Sequence, residues 1–152
     1  MPAAATKVTI THPRLQRLYA YWLEKRGDRA MPSRADLDPI DIRFVIGDVI
    51  LVDVLDGTPP QFRIRLHGTN LSERTNFDLT GKLLDEMPAQ EFRDLVTRTF
   101  RRVVRTREAV HALADRVLDD RTHRYETIIM PLSSNGEIVD RLLVGMIFEP
   151  LR

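Results

Sequence analysis

Residues 45–67 read VIGDVILVDVLDGTPPQFRIRLH, and this segment fixes the type of sheet that the chain builds. The part that ends at Leu55 is rich in β-branched residues, which favour strands, and residues 56–60 are typical of a turn. After the turn, apolar and polar side chains alternate: Phe62, Ile64 and Leu66 against Arg63, Arg65 and His67. The pattern predicts a β-hairpin whose first strand spans residues 45–55 and whose second strand ends at Gly68.

The chain after the hairpin predicts a helical block and then three more strands. Glycine and proline break residues 69–88 into short pieces, and residues 88–106 carry one apolar face at helical spacing. The apolar face consists of Phe92, Leu95, Val96, Phe100, Val103 and Val104. Strands are predicted at about 109–118, 122–132 and 138–149, with turns between them.

The residues before the hairpin predict an amphipathic helix over 11–27. Thr11 is the predicted N-cap, and Gly27 ends the helix. Its apolar stripe covers either the chain's own sheet or a second copy's, and we favour a homodimer because an uncovered stripe is unusual. The candidate dimer or partner interface is Leu15, Tyr19, Trp22 and Leu23. Residues 28–43 predict two short helical turns.

This order of elements predicts an α+β fold. Strand runs separated by a helical block build an antiparallel sheet rather than alternating βαβ units. We expect a five-stranded antiparallel sheet with the helical block on one face and a cavity between them. A flexible N-terminal arm (1–10) precedes a single domain (11–152), with its core at about 44–149.

Composition excludes several classes of protein. Lys+Arg number 23 and Asp+Glu 22, so the net charge of +1 predicts neither a nucleic-acid nor a membrane partner. The absence of cysteine excludes disulfides, cysteine-based zinc sites and flavin–cysteinyl photochemistry. We find no signal peptide and no apolar run of about 18 residues, so we expect a cytoplasmic protein.

Beyond the order of elements, the chain resembles a PAS-like family found in bacteria, often as single-domain proteins. The likeness runs over roughly residues 18–148. The matching motifs are Tyr21-Trp22, MPSRADLDP (31–39), FRIRLHGT (62–69), DLTGK (78–82) and LDE (84–86). The resemblance implies the PAS fold and a module that senses a ligand or docks on a signalling protein. It implies no catalytic residue and no particular cofactor.

Five residues are weak candidates for ligand contacts. Arg65 and His67 precede the turn that contains Thr69 and Asn70, where a guanidinium and an imidazole suit an anionic ligand. The alternative is that Arg65 and His67 belong to the polar face of an alternating strand. Tyr125 on the fourth strand faces either the cavity or the core.

The sequence contains no signal for a cofactor or for catalysis. Four histidines are present, and none lies in residues 88–106, where a PAS haem ligand is expected, so haem is disfavoured. There is no Gly-x-Ser-x-Gly motif and no metal-ligand spacing, so we predict no catalytic residue, no metal site and no enzymatic activity.

Two functions remain open. The first is a sensor that binds a small molecule between sheet and helices and signals by docking on another protein. The second is a pure interaction or dimerisation module whose cavity is filled by its own side chains. The candidate fillers are Phe77, Leu79, Leu83, Phe92 and Phe100. The sequence does not identify the ligand, the partner or the regulated process.

Overall fold

The computed structural model describes residues 9–150, and most of the predicted N-terminal arm lies outside this range. Its helices and strands, numbered in chain order, are α1 (Pro13–Arg26), β1 (Val49–Leu55), β2 (Gln61–His67), α2 (Thr69–Thr75), α3 (Gln90–Thr106), β3 (Val110–Leu118), β4 (Arg121–Leu132) and β5 (Arg141–Phe148). Short 3₁₀ turns occur at Arg34–Asp36, Pro39–Ile42, Ile46–Asp48 and Leu84–Glu86. The first two confirm the predicted helical turns.

The five strands form one antiparallel sheet in the order β2-β1-β5-β4-β3. The C-terminal strand β5 therefore lies in the centre, between β1 and β4, and the two edges are β2 and β3. This confirms the predicted α+β class and the five-stranded antiparallel sheet.

Helices cover both faces of this sheet. Side chains alternate between the faces along a strand, so Gly145 on β5 faces α1, whereas Val144 and Met146 face α2 and α3. A Cβ atom at Gly145 would lie 2.7 Å from a methyl group of Leu15 and 2.8 Å from one of Leu18. The missing side chain therefore lets α1 pack directly on β5.

The apolar stripe of α1 packs against its own sheet. Leu15 is 0% and Trp22 2% exposed within one chain, and the Trp22 indole Nε1–H donates to the Pro131 carbonyl at 3.0 Å. Tyr19 and Leu23 are half-buried and pack against the same core. The predicted interface role of Leu15 and Trp22 is therefore wrong, because both side chains are buried within their own chain and leave no surface for a partner. The homodimer itself stays a prediction.

Glu126 on β4 fixes the start of α1. Its carboxylate accepts hydrogen bonds from the Thr11 N–H at 2.8 Å, the Thr11 hydroxyl at 2.9 Å and the His12 N–H at 2.7 Å, and it contacts the His111 imidazole at 2.6 Å. The predicted N-cap Thr11 is thus wrong, because Thr11 binds Glu126. His12 takes the N-cap position, and its Nδ1 accepts from the Arg14 N–H at 3.2 Å.

The first strand begins later than predicted. Residues 46–48 form a 3₁₀ turn, and β1 starts at Val49. The cause is a close backbone approach: a Cβ atom at Gly68 would lie 2.3 Å from the Gly47 carbonyl oxygen. The Gly68 N–H donates to the Val49 carbonyl at 2.9 Å, so the turn is held against the start of α2.

Candidate ligand-binding cavity

A cavity of about 390 Å³ lies between the sheet and the helical block of α2, α3 and the segment 77–89. All five strands contribute side chains to its wall. The apolar lining includes Ile50, Ile64, Phe77, Phe92, Phe100, Ala112, Ala114, Ile129, Val144, Met146 and Phe148. A space of this size and character is in the range that small-molecule sites occupy.

Aromatic rings connect the elements around the cavity. The Tyr125 ring lies 6.3 Å from the Phe92 ring in an edge-to-face arrangement and 5.6 Å from the Phe148 ring. Phe62 and Phe100 also pack edge to face, at 5.3 Å. These contacts join α3 to β2 and β4, and β4 to β5.

An irregularity in β2 places His67 on the cavity wall and turns Arg65 away from it. Leu51 pairs with Leu66 but Val52 pairs with Ile64, so Arg65 is an extra residue in the ladder. The bulge reverses the alternation, and His67 faces the cavity as Ile64 does. The predicted joint site of Arg65 and His67 is therefore wrong.

Arg65 instead forms an ion pair on the strand surface. Its Nε donates to both Asp53 carboxylate oxygens, at 3.1 Å and 2.9 Å. This contact agrees with the alternative prediction for Arg65, the polar face of a strand.

His67 joins the sheet to the helical block. Its Nδ1 accepts a hydrogen bond from the Leu79 N–H at 3.2 Å and lies 3.0 Å from the Ser72 hydroxyl. A backbone N–H always donates, so Nδ1 is unprotonated and the neutral ring carries its proton on Nε2. Burial lowers the pKa of His67, with Asp78 opposing that shift and Arg116 adding to it. Asp78, 3.8 Å away, therefore faces a neutral ring at neutral pH.

Tyr125 lies on the cavity wall, as one of the two predicted alternatives had it. The side chain is 5% exposed, and burial raises the pKa of its hydroxyl, while the charge of Arg116 opposes that rise.

Arg116 on β3 is the polar residue that the sequence analysis missed. Its guanidinium carbon lies 3.9 Å from the centroid of the Phe92 ring, and the side chain lines the cavity. Burial lowers the pKa of Arg116, and the neighbouring Tyr125 opposes that shift. The alternation along β3 placed Arg116 on the same face as Ala112 and Ala114, which was a signal that it lines the cavity. The signal was weak, because Leu113 and Val117 give the alternate positions of the strand an apolar pattern as well.

Thr69 and Asn70 lie outside the cavity wall. Both are exposed, and the Asn70 amide donates to Asp48 at 3.3 Å. Asp48 also pairs with Arg14 at 2.8 Å, so Asn70 belongs to a separate polar cleft between α1 and α2. The two residues follow His67 in sequence but turn away from it with the start of α2.

The described residues contain neither a metal-binding cluster nor a membrane-spanning helix. Across residues 9–150, no cluster of three or more His, Cys, Asp or Glu side chains is arranged to hold a metal ion. In the same part of the chain, no helix has the length and apolar content to cross a bilayer.

Comparison with known proteins assigns the family. The family model described as PAS domain matches residues 10–148, nearly the whole chain. The chain belongs to the PAS domain family. This confirms the predicted resemblance and identifies the domain as one of a generally sensory, signalling family.

Solved structures agree on the PAS fold. The PAS domain of Bordetella pertussis BvgS superimposes with a TM-score of 0.57 at 16% identity, covering 72% of this chain and 84% of that one. A Rhodobacter sphaeroides LOV protein gives a TM-score of 0.51 at 10% identity, covering 74% of this chain and 68% of the other. At these identities the likeness concerns the fold alone. A comparison with curated protein sequences finds no match.

Proposed function

We propose that this PAS domain is a small-molecule sensor that binds its ligand in the cavity between sheet and helices. The observation that carries the proposal is the 390 Å³ space itself, which has largely apolar walls and, besides three threonines and Asp119, three further polar side chains on them. Those side chains are His67, Arg116 and Tyr125. An apolar space with a few placed polar groups is the usual form of a ligand site.

The alternative of an interaction module with a self-filled cavity is less well supported. Of its candidate fillers, Phe77, Leu79, Phe92 and Phe100 stand on the cavity wall and leave the space between them open. Protein interiors are close-packed, and a void loses dispersion contacts that a larger side chain would supply. A module that only docks on a partner has no use for such a void.

Signalling follows if the ligand changes how the domain docks on a partner protein. A ligand in the cavity contacts α3 and β3 at once, since both contribute to its wall. Strand β3 is a sheet edge, and its other face carries Leu113, which is 47% exposed. A ligand that binds more tightly to one conformation of β3 than to another therefore changes the exposed surface of the domain. We assign the domain a binding role and no catalytic one.

The first experiment asks whether the cavity holds a molecule. Native and denaturing mass spectrometry of freshly purified protein, with an absorbance scan, detect a ligand that copurifies. Thermal denaturation against a metabolite library detects weaker ligands, because a molecule that binds only the folded state raises Tm. The proposal fails if no mass is added and no compound raises Tm.

A cavity-filling variant locates the binding. Ala114→Phe places a ring in the cavity, so we expect the ligand-dependent rise in Tm to disappear while the apo protein stays folded. Leu113→Phe is the matched control, because the neighbouring residue on the same strand is on the exposed side. Equal loss of the response in both variants, or in neither, would place the ligand elsewhere.

A further inference from the structure

The guanidinium of Arg116 is a cation in the cavity wall without an anionic partner. No carboxylate of residues 9–150 lies within ion-pair distance of it. Within the same range its Nε is buried and has no hydrogen-bond partner. Asp119 also reaches the cavity, but it is exposed at the β3–β4 turn and forms no ion pair with Arg116. Arg116 as a whole is half-buried, and a partly desolvated charge without an ion-pair partner is costly, so an anionic acceptor in the cavity would stabilise this arrangement.

Phe92 leaves the hydrogen-bonding edge of the guanidinium available. A ring 3.9 Å from the guanidinium carbon interacts through the cation's π contact, not through its N–H donors. A guanidinium carries five N–H donors in one plane, arranged as a fork that fits a carboxylate with two parallel hydrogen bonds. The stack therefore also holds the fork in one orientation.

Other arginines of the domain show that this state is distinctive. Arg14 contacts Asp48 at 2.8 Å, and Arg65 contacts Asp53 at 2.9 Å. Arg26 and Arg141 also have a buried Nε without a hydrogen bond, yet neither lines the cavity, and Arg141 lies 3.2 Å from Asp53. Arg116 alone combines an unpaired guanidinium with a place on the cavity wall among the described residues.

Two neutral donors line the same cavity as Arg116. The protonated Nε2 of His67 and the Tyr125 hydroxyl find no hydrogen-bond partner in the described part of the chain. The charge of Arg116 contributes to the pKa shifts of both residues, in agreement with their place in one cavity. One cation with two neutral donors balances a single negative charge and not the double charge of a phosphate monoester.

We infer that the ligand is a small monocarboxylate with an apolar body, whose carboxylate binds the Arg116 fork and whose body fills the cavity beside Phe92 and Phe148. This inference rests on the proposed function, because it specifies the chemistry of the same cavity. The apolar remainder of the wall excludes ligands that are polar along their whole length.

The test compares matched carboxylates and alcohols. Straight-chain and ω-phenyl carboxylates of four to twelve carbons, and the alcohols of the same carbon skeletons, are titrated by calorimetry at constant ionic strength. We expect the preferred carboxylate to bind about tenfold or more tightly than its alcohol, because a bidentate charged pair exceeds a neutral hydrogen bond.

Substitutions assign that preference to one residue. Arg116→Met should abolish the preference for the carboxylate by weakening carboxylate binding much more than alcohol binding, and Arg116→Lys should keep part of the preference, because a lysine retains the charge but not the fork. Arg124→Met is the control: the Arg124 side chain is exposed on β4 and lies 3.8 Å from the Glu149 carboxylate. The apo Tm of Arg116→Met should not fall below that of the parent, since the substitution removes a half-buried charge that has no ion-pair partner among the described residues.

The outcomes separate this inference from the proposed function. If carboxylates and alcohols bind equally and Arg116→Met changes neither, the cavity is a ligand site but the carboxylate inference is wrong. If neither series binds while another molecule copurifies in the cavity, the inference is also wrong and the sensor proposal stands. If nothing binds in either experiment, both fail.

Discussion

Glu126→Gln should make the domain less stable at neutral pH and remove the part of its acid sensitivity that comes from Glu126. Burial raises the pKa of Glu126, but hydrogen bonds from Thr11, His111 and His12 outweigh this effect and lower it from 4.5 to about 2. A folded-state pKa below the unfolded value adds stability above pH 4.5 that is lost as the pH falls towards 2. At about 1.36 kcal/mol per pH unit, the charged form contributes about 3 kcal/mol at pH 7.

The substitution tests this contribution by difference. The introduced glutamine retains one acceptor oxygen but presents an amide to donors that had faced the second carboxylate oxygen, so we expect a loss of about 2–3 kcal/mol at pH 7. Urea denaturation followed by fluorescence measures it, because Trp22, the single tryptophan, is buried in α1, the helix that Glu126 holds. Between about pH 4.5 and 2 the difference in unfolding free energy between variant and parent should close, because the parent loses the contribution of the charged Glu126. The other carboxyl groups titrate in both proteins and cancel in this difference.

Glu149→Gln is the matched control. Glu149 lies 3.8 Å from Arg124, and both side chains are more than half exposed, so its loss should cost at most about 0.5 kcal/mol at any pH. The reasoning would be refuted if Glu126→Gln destabilised the domain equally at pH 7 and pH 3. A gap independent of pH would mean that the residue acts through shape and packing and not through its charge.

Three further predictions concern His67, two glycines and α1. Burial lowers the pKa of His67, so parent stability should fall as the pH drops below about 6.5 and through that lowered value, whereas His67→Asn should lack this loss in urea melts at about pH 7.5 and 5.5. Gly68→Ala should lower the free energy of unfolding by about 3 kcal/mol or more, because the added Cβ would lie 2.3 Å from the Gly47 carbonyl oxygen. Gly145→Ala should lower it by about 1 kcal/mol, because the added Cβ meets leucine methyl groups that can move. Thermal denaturation of the two variants ranks these effects. Leu15→Ala should cost about 3–5 kcal/mol with a midpoint independent of protein concentration, since Leu15 is buried in its own chain; a concentration-dependent midpoint would restore it to a dimer interface.

The parts of the fold that local patterns specify were predictable from the sequence. Alternating side chains and turn residues gave the five strands, and the helical spacing of apolar residues gave α1 and α3. Strand ends were less predictable because contacts distant in sequence set them. Residues 46–48 are apolar enough for a strand, yet Gly47 packs against Gly68. The predicted start of β5 at residue 138 fails because Asn135 accepts the N–H groups of Glu137 and Ile138, so β5 begins at Arg141.

The cavity was predictable in outline but not in its polar residues. Sequence proximity grouped Arg65, His67, Thr69 and Asn70, and the structure separates them because a bulge and a helix start fall within six residues. Tyr125 was correctly offered as a cavity residue because the alternation of β4 contains no irregularity.

Arg116 could not be found in this way because its defining property is a missing partner. Whether an arginine is paired depends on every element packed around it and not on the residues beside it in sequence. Arg65 is in a strand beside a turn and has the features of a free cation, yet Asp53 on the neighbouring strand neutralises it. Arg116 and His67 belong to opposite edges of the sheet, with three strands between them, and line one cavity because both edge strands contribute to its wall. The surroundings of Arg116, on which the proposed ligand chemistry depends, therefore cannot be deduced from the residues next to it in the sequence.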